Sequence, residues 1–503
     1  MALPTIGCKP DSLAAASAAM VQFLCTLQDS KLSSADRLEI NSARKAFHVA
    51  PTVEESEILV LDAETREDLG LFGSDTNNGS LFDYCDQCRT EGGRKVLRRR
   101  MEAPWSSANR IQATQDAISF ILKHREIFNP LPSNYVALNV ERYITAAFPL
   151  LKQENSVEFV IAAYFFWVND EHFYSKIIRG VELTSRLLNS LRRFCDLTKE
   201  VTPLGELASL VEEMVALLEE PKLVELTGKI DARWVWQKLR LDQTYRMHER
   251  LNIIKLLQLT YELDALVSLA DVTGEHNLVM PCIGRGPVQI VATGLVHPAL
   301  PKAVPNEVEL NQERRVLFLT GPNMAGKTTY LRAITTALYM AHLGMGVPAT
   351  RFHFVAVERL LTSISLRDDL HDGVSYFRAE ALRVKAVAEA IAAGFRTVAI
   401  MDEPFKGTNV KDAFDASLEI LKRFAGSTNC LFVVSSHLIE LGEQLNKTAN
   451  IDYRYFEADE SKERLSFDFV LHNGVSSQRL GMRVLREEGV FELLDSNQPR
   501  NPT

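Results

Sequence analysis

The chain has 503 residues, 46% of them hydrophobic and 24% charged, an ordinary globular composition that excludes disordered and fibrous classes. Its length allows about two to four domains, each able to bury a core. A net charge of −9 excludes a globally basic nucleic-acid binder, so any DNA contact needs a local basic surface.

The seven cysteines are an odd number, scattered through the chain, which fits reduced intracellular thiols better than a disulfide framework. No basic stretch leads into an apolar one at the N-terminus, so no secretion signal is expected. From the start to about Arg285 the pattern is helical. Residues 12–27 are rich in helix formers with one apolar face. Residues 58–61 read as a short strand, after which Asp62 is placed to cap a helix over 63–69. Residues 77–79 (Asn-Asn-Gly) form a turn, and Ser80 caps the helix that follows. Cys85 and Cys88 make a lone C-x-x-C with no second pair to complete a zinc site, so helix packing is the expected role.

Residues 92–100 carry Arg94, Lys95, Arg98, Arg99 and Arg100. Such a run is either a solvated face or a contact to nucleic acid or another domain. Helices broken at Pro130, Pro132 and Pro203 follow. The apolar run 159–168 is too short for a bilayer, which needs about twenty residues. It is expected to be a buried helix segment. Residues 244–272 repeat Leu251, Ile254, Leu257, Tyr261, Ala265 and Leu269 at three- and four-residue steps, predicting one long helix that could act as a lever.

Near residue 286 strands begin to alternate with helices, around Val288, Leu317, Val398, Phe432 and Tyr453. The expected fold is therefore multidomain α plus α/β, with a mostly helical unit over 1–285 and a P-loop unit over 286–503. The second unit holds the most informative stretch, Gly321-Pro-Asn-Met-Ala-Gly-Lys-Thr328, between an apolar strand and a helix. Glycines at 321 and 326 let backbone N–H groups curl round phosphate oxygens, and the helix N-terminus adds partial positive charge. Gly321, Pro322, Asn323, Met324, Ala325, Gly326, Lys327, Thr328 and Thr329 are thus the expected ATP contacts. Lys327 would reach the β- and γ-phosphates, and Thr328 would hold Mg²⁺. Asp402 and Glu403 end a second apolar strand; Asp402 would be a Mg²⁺ ligand and Glu403 would polarise the attacking water. His437 ends a third and could sense the γ-phosphate or that water.

These residues resemble those of the MutS family of DNA mismatch-repair ATPases. Thr320-Gly-Pro-Asn-Met-Ala-Gly-Lys-Thr-Thr-Tyr-Leu-Arg332 is similar to the family's TGPNMGGKST-Y-x-R, and Asp368-Asp-Leu-His-Asp-Gly-Val-Ser-Tyr-Phe-Arg-Ala-Glu380 to its DDL-x-x-G-x-S-x-F-x-x-E. The resemblance implies that Ser375 approaches ATP on a partner subunit, and hence a homodimer or a heterodimer with a relative. Residues 61–104 and 262–270 are similar to the family's helical core and lever helices. Ala325 stands for a loop glycine, Pro404-Phe405-Lys406 for Ile/Leu-Gly-Arg, and Val304 for an aromatic against the adenine. None of the 25 phenylalanines begins the family's Phe-x-Glu wedge, so the mismatch-reading and connector domains are expected to be missing and the DNA clamp to be reduced or absent. The function implied is ATP binding and hydrolysis that drives a dimer on double-stranded or branched DNA, in mismatch repair or recombination. The alternative is a switch acting on a protein partner. Either would be intracellular, cytoplasmic or nucleoid-associated (nuclear in a eukaryote), with no membrane contact.

Overall fold

The computed structural model describes residues 40–42, 55–73, 79–224, 234–364, 376–445, 448–460, 465–476, 478 and 480–496. The expected helix over 12–27 and Ser375 lie outside the described residues.

Helices dominate up to residue 275. They are α1 (Ala63–Asp68), α2 (Leu81–Cys85), α3 (Glu91–Glu102), α4 (Ala108–Lys123), α5 (Asn134–Ile144), α6 (Ser156–Asn169), α7 (Glu171–Lys199), α8 (Glu206–Leu218), α9 (Pro221–Val224), α10 (Val235–Gln243) and α11 (Arg250–Glu275). The predicted caps are present. Asp62 accepts from the Thr65 N–H, and Ser80 and Asp83 form a reciprocal capping box. The predicted 244–272 helix is one helix, α11, from Arg250 onward, and its first five residues, Thr244–His248, instead form a π turn that follows α10. Arg246 explains it. This guanidinium is 1% exposed, and it donates to the Asp242 carboxylate and to the carbonyls of Phe148 and Pro149. A wider turn there satisfies a buried charge.

From Leu256 onward α11 is buried on almost every side and forms the axis of the helical part. Gly93 lets α3 lie directly on it, since a Cβ there would collide with the Asp264 carboxylate. Asp264 in turn accepts from the backbone N–H groups of Arg89 and Thr90 at 3.0 and 2.8 Å. The segment 85–90 is thereby strapped to α11. Cys85 and Cys88 belong to this packing. Burial pushes the Cys85 thiol up to about 12 and raises the Cys88 thiol as well.

Two sequence expectations are corrected here. The basic run 94–100 is divided: Arg94, Lys95 and Arg98 stay exposed, while Arg99 and Arg100 are ion-paired to Glu262 of α11. Arg100 also pairs with Glu206 of α8, Arg94 with Asp86, and Arg98 with Glu102. Only the C-terminal end of the run, Arg99 and Arg100, is an inter-helix contact. The apolar segment 159–168 is helical, in α6, but only Phe159, Ala162, Ala163 and Phe166 are buried, while Ile161, Tyr164, Trp167 and Val168 face outward.

The strands are β1 (Val60–Leu61), β2 (Cys282–Gly284), β3 (Ile290–Leu295), β4 (Asn306–Leu310), β5 (Val316–Thr320), β6 (Arg351–Val355), β7 (Arg359–Ser363), β8 (Thr397–Asp402), β9 (Cys430–Ser435) and β10 (Ile451–Tyr455). The main sheet runs β1-β7-β8-β9-β5-β10 and ends on a short strand at His472–Asn473. Its pairs are parallel except for that last one. A smaller sheet, β2-β6-β3-β4, lies beside it in sequence. Among residues of β5, β8 and β9, alternate side chains join two different apolar clusters. Leu317, Leu319, Val398, Ile400, Leu431 and Val433 pack with α12 (Lys327–His342). Phe318, Ala399, Met401, Phe432 and Val434 pack on the other face, with α13 (Tyr376–Ala392), α14 (Val410–Gly426) and α15 (Ile439–Leu445). A doubly covered parallel sheet of this kind explains why these strands read as unbroken apolar runs. Residues 60–61, far from the rest in sequence, supply one edge strand.

Candidate active site

Three adjacent parallel strands, β8, β9 and β5, end side by side, and Asp402 pairs in register with Ser435 and Leu319 with Ser435. Their C-terminal ends therefore bring the loop after β5, the acids after β8 and the histidine after β9 to one place. That is the usual ligand edge of an open α/β sheet.

The loop after β5 turns sharply. Gly321 has φ of 135°, and a Cβ there would sit 2.5 Å from the Phe456 carbonyl. Gly326, at φ of 103°, caps α12, which starts at Lys327. The Lys327 ammonium is buried and donates to the carbonyls of Gly321 and Pro322 at 2.8 and 3.3 Å. It also lies 3.3 Å from the Glu403 carboxylate. Thr328 donates to Asp402 at 2.5 Å, and Ser435 donates to the other Asp402 oxygen. Glu403 is 9% exposed with φ of 51°, a left-handed backbone that a non-glycine residue adopts at a cost. Its N–H donates to Ser435 Oγ at 2.9 Å. Its carboxylate meets Lys406 Nζ at 2.9 Å and His437 Nδ1 at 3.5 Å. Burial pushes the Glu403 carboxyl up, but hydrogen bonds from His437 and Lys406 and the charges of Lys327 and Lys406 outweigh it and hold it well below the usual range.

These groups face a cavity of about 470 Å³, a size that suits a nucleotide. Pro322, Asn323, Met324, Gly326, Lys327, Thr328 and Thr329 line one wall with Asp402, Glu403 and Lys406. Ala325 turns its methyl into the core instead, fully buried, so it presents no side chain to the cavity. His437 stands behind Glu403, half exposed. His297, Leu300, Val304 and Phe469 line the cavity as well.

Phe469 was missed from sequence. Its φ is 57°, its ring is partly exposed, and it reaches to within 3.2 Å of where a Cβ of Gly326 would stand. Asn306 fixes the segment, donating to the Phe469 carbonyl at 3.0 Å and accepting from the Leu471 N–H at 2.8 Å. An aromatic thus faces the cavity next to Val304, supplied from a distant part of the chain. Only the tie to Asn306 reveals it, and no local motif announces it.

Two family profiles match the chain: MutS domain III over residues 64–270 and MutS domain V over residues 317–495. Between them they take in most of its length. Among curated relatives, the DNA mismatch repair protein MutS of Aquifex pyrophilus is 26% identical over 502 residues, covering 82% of this chain and 58% of its own. The DNA mismatch repair protein MutS 2 of Halobacterium salinarum is 28% identical over 233 residues, 46% of this chain and 26% of its own. The chain therefore spans little more than half, or about a quarter, of the length of these relatives.

Proposed function

As the chain belongs to the MutS family, we propose that it is an ATP hydrolase whose turnover drives the conformational change of a dimer on DNA, in mismatch repair or a related process. The observation that carries this reading is the convergence of Lys327, Thr328, Asp402, Glu403 and His437 on one edge of a parallel sheet, at a nucleotide-sized cavity.

The residues fit ATP and Mg²⁺. Thr328 Oγ and the Asp402 carboxylate are two hard oxygen donors already in contact, which suits Mg²⁺ directly or through water. Bound there, the ion neutralises charge on the phosphate oxygens. Lys327 would turn from the Gly321 carbonyl and Glu403 to the β- and γ-phosphates. That frees Glu403 to orient the attacking water, while His437 and Lys406 hold its carboxylate ionised and in place. Phosphate binding by the 321–329 loop leaves the base on the wall of Phe469, Val304 and His297, where an aromatic face can stack on it. The P-loop unit is taken as residues 286–503 together with the edge strand at 60–61, and 1–285 otherwise as the core and lever unit.

Lys327→Ala should lose nucleotide binding, whereas Glu403→Ala should bind ATP and retain it unhydrolysed. Filter binding of labelled ATP checks this, and equal retention by both variants would overturn the assigned roles. Ser375, outside the described residues, is proposed to contact ATP across a dimer. Turnover per chain should rise with protein concentration and fall in Ser375→Ala; a concentration-independent rate unchanged in that variant removes the composite site.

A second reading, a switch that grips a protein partner, is favoured by one observation. The basic run at 94–100, the motif first considered for DNA, is largely consumed by ion pairs within the helical part. Nuclease treatment of a pull-down separates the two: partners that survive it support the switch, and partners that disappear support DNA.

A further inference from the structure

Directly after Glu403 the chain makes a turn that ought to be unstable on its own. Glu403 and Phe405 both sit at positive φ, 51° and 69°, without being glycine. Such a backbone persists only where its surroundings hold it. The holder is Glu380, on the first turns of α13. Its carboxylate, 2% exposed, accepts the Lys406 N–H at 2.9 Å with one oxygen and the Gly407 N–H at 3.2 Å with the other. The Phe405 N–H points to the same group, and the Phe377 ring packs against the Phe405 ring 5.9 Å away.

The grip is itself anchored. Arg383, one turn further along α13 and 6% exposed, is ion-paired to Asp62 and to Glu64, the latter at 2.9 Å. It also donates to the Thr362 carbonyl at 2.6 Å and to Thr65 Oγ at 3.0 Å. Asp62 is the N-cap of α1, so one end of α13 is fixed to the N-terminal segment and to β7. The first two turns of α13 thereby tie that segment to the turn carrying Glu403 and Lys406.

We propose that Glu380 is a positioning residue for hydrolysis, which fixes the 405–407 turn so that Glu403 and Lys406 face the cavity. The proposal rests on the ATP-hydrolase reading above. Glu380 does not line the cavity. Its effect is therefore confined to the rate of the chemical step, because a small misplacement of a group that orients water slows that step far more than it weakens binding.

The test measures kcat for ATP with Mg²⁺ and, separately, the Kd for ATP, in the full chain carrying Glu380→Ala or Glu380→Gln. Glu380→Ala should lower kcat by about 10²-fold while the Kd moves by less than about threefold. Glu380→Gln keeps one acceptor oxygen and should recover part of the rate; it also serves if the alanine variant does not fold. An unchanged kcat in folded Glu380→Gln, or a Kd that worsens in step with kcat, overturns the positioning role. Wild-type chain with no Glu403-dependent turnover overturns the parent reading and this one together, an outcome recognised before any Glu380 variant is made.

Discussion

At the scale of single residues, the site is defined by charge placement. Glu403 is held ionised by two cations and a histidine, so it is suited to orienting water across the neutral range rather than to titrating near pH 7. The sign is clear: a carboxyl held low contributes stability above its unfolded pKa, and loses it only as pH falls through its folded value. An acid limb of the rate above about pH 5 should therefore not belong to Glu403. A pH–kcat profile of wild type beside Lys406→Ala tests this, since removal of a neighbouring cation should move any Glu403-dependent limb upward. Phe469 carries a second prediction. Loss of a stacked aromatic costs about 1–3 kcal/mol, so Phe469→Ala should weaken ATP binding by roughly tenfold with little change in kcat. An unchanged Kd would remove Phe469 from the base site. The phosphate and acid residues were legible because each sits in a contiguous motif after an apolar strand. Phe469 was not, because what brings it to the cavity is the hydrogen bonding of Asn306 to a remote loop.

At the scale of elements, the sequence pattern found most helices and strands, and failed where tertiary contacts overrode local signals. The basic run looked free because its acidic partners, Glu206 and Glu262, lie on other helices. Breaking one of those buried pairs should cost about 3 kcal/mol, so Arg100→Ala should lower the urea midpoint markedly. If that variant keeps its stability but loses DNA affinity, the run serves DNA after all. The long periodic stretch over 244–272 gave no hint of a π turn, because the buried Asp242–Arg246 pair that accompanies it is invisible to hydrophobic periodicity. The end of α12 offers a pH test. His342 is fully buried; its Nδ1 donates to the Trp105 carbonyl at 2.7 Å, and its Nε2 accepts from the Val357 N–H. Burial, opposed by the Trp105 bond and aided by Arg396, lowers its pKa to about 4. A base with a depressed folded pKa is bound neutral, so its contribution is full above the unfolded value of about 6.5 and is lost as pH falls towards about 4. Across that window wild type should lose roughly 3 kcal/mol more than His342→Gln. Parallel urea midpoints in the two proteins would contradict it.

At the scale of the whole molecule, the two parts are not cleanly divided at residue 285. The segment 58–69 contributes an edge strand and the Asp62 and Glu64 partners of Arg383 to the sheet region, although it precedes the helical part in sequence. The short strand and the Asp62 cap were legible in the sequence, but their pairing with β7 and Arg383, far along the chain, was not. The ion pairs of Asp62 and Glu64 with Arg383 tie α1 and its cap directly to α13. Among the described residues no helix is long and apolar enough to cross a membrane. Whether the protein acts on DNA or on a protein partner is decided by how hydrolysis responds to DNA.

The most direct measurement is steady-state ATP hydrolysis with Mg²⁺, with Glu403→Ala as the control. It is run without DNA and with homoduplex, mismatched duplex and a four-way junction, each at low and high salt. Glu403-dependent turnover should change on adding at least one DNA and lose that response at high salt, because phosphate contacts weaken with salt. A Glu403-dependent rate indifferent to every DNA at low salt would contradict action on DNA and leave the protein-partner switch.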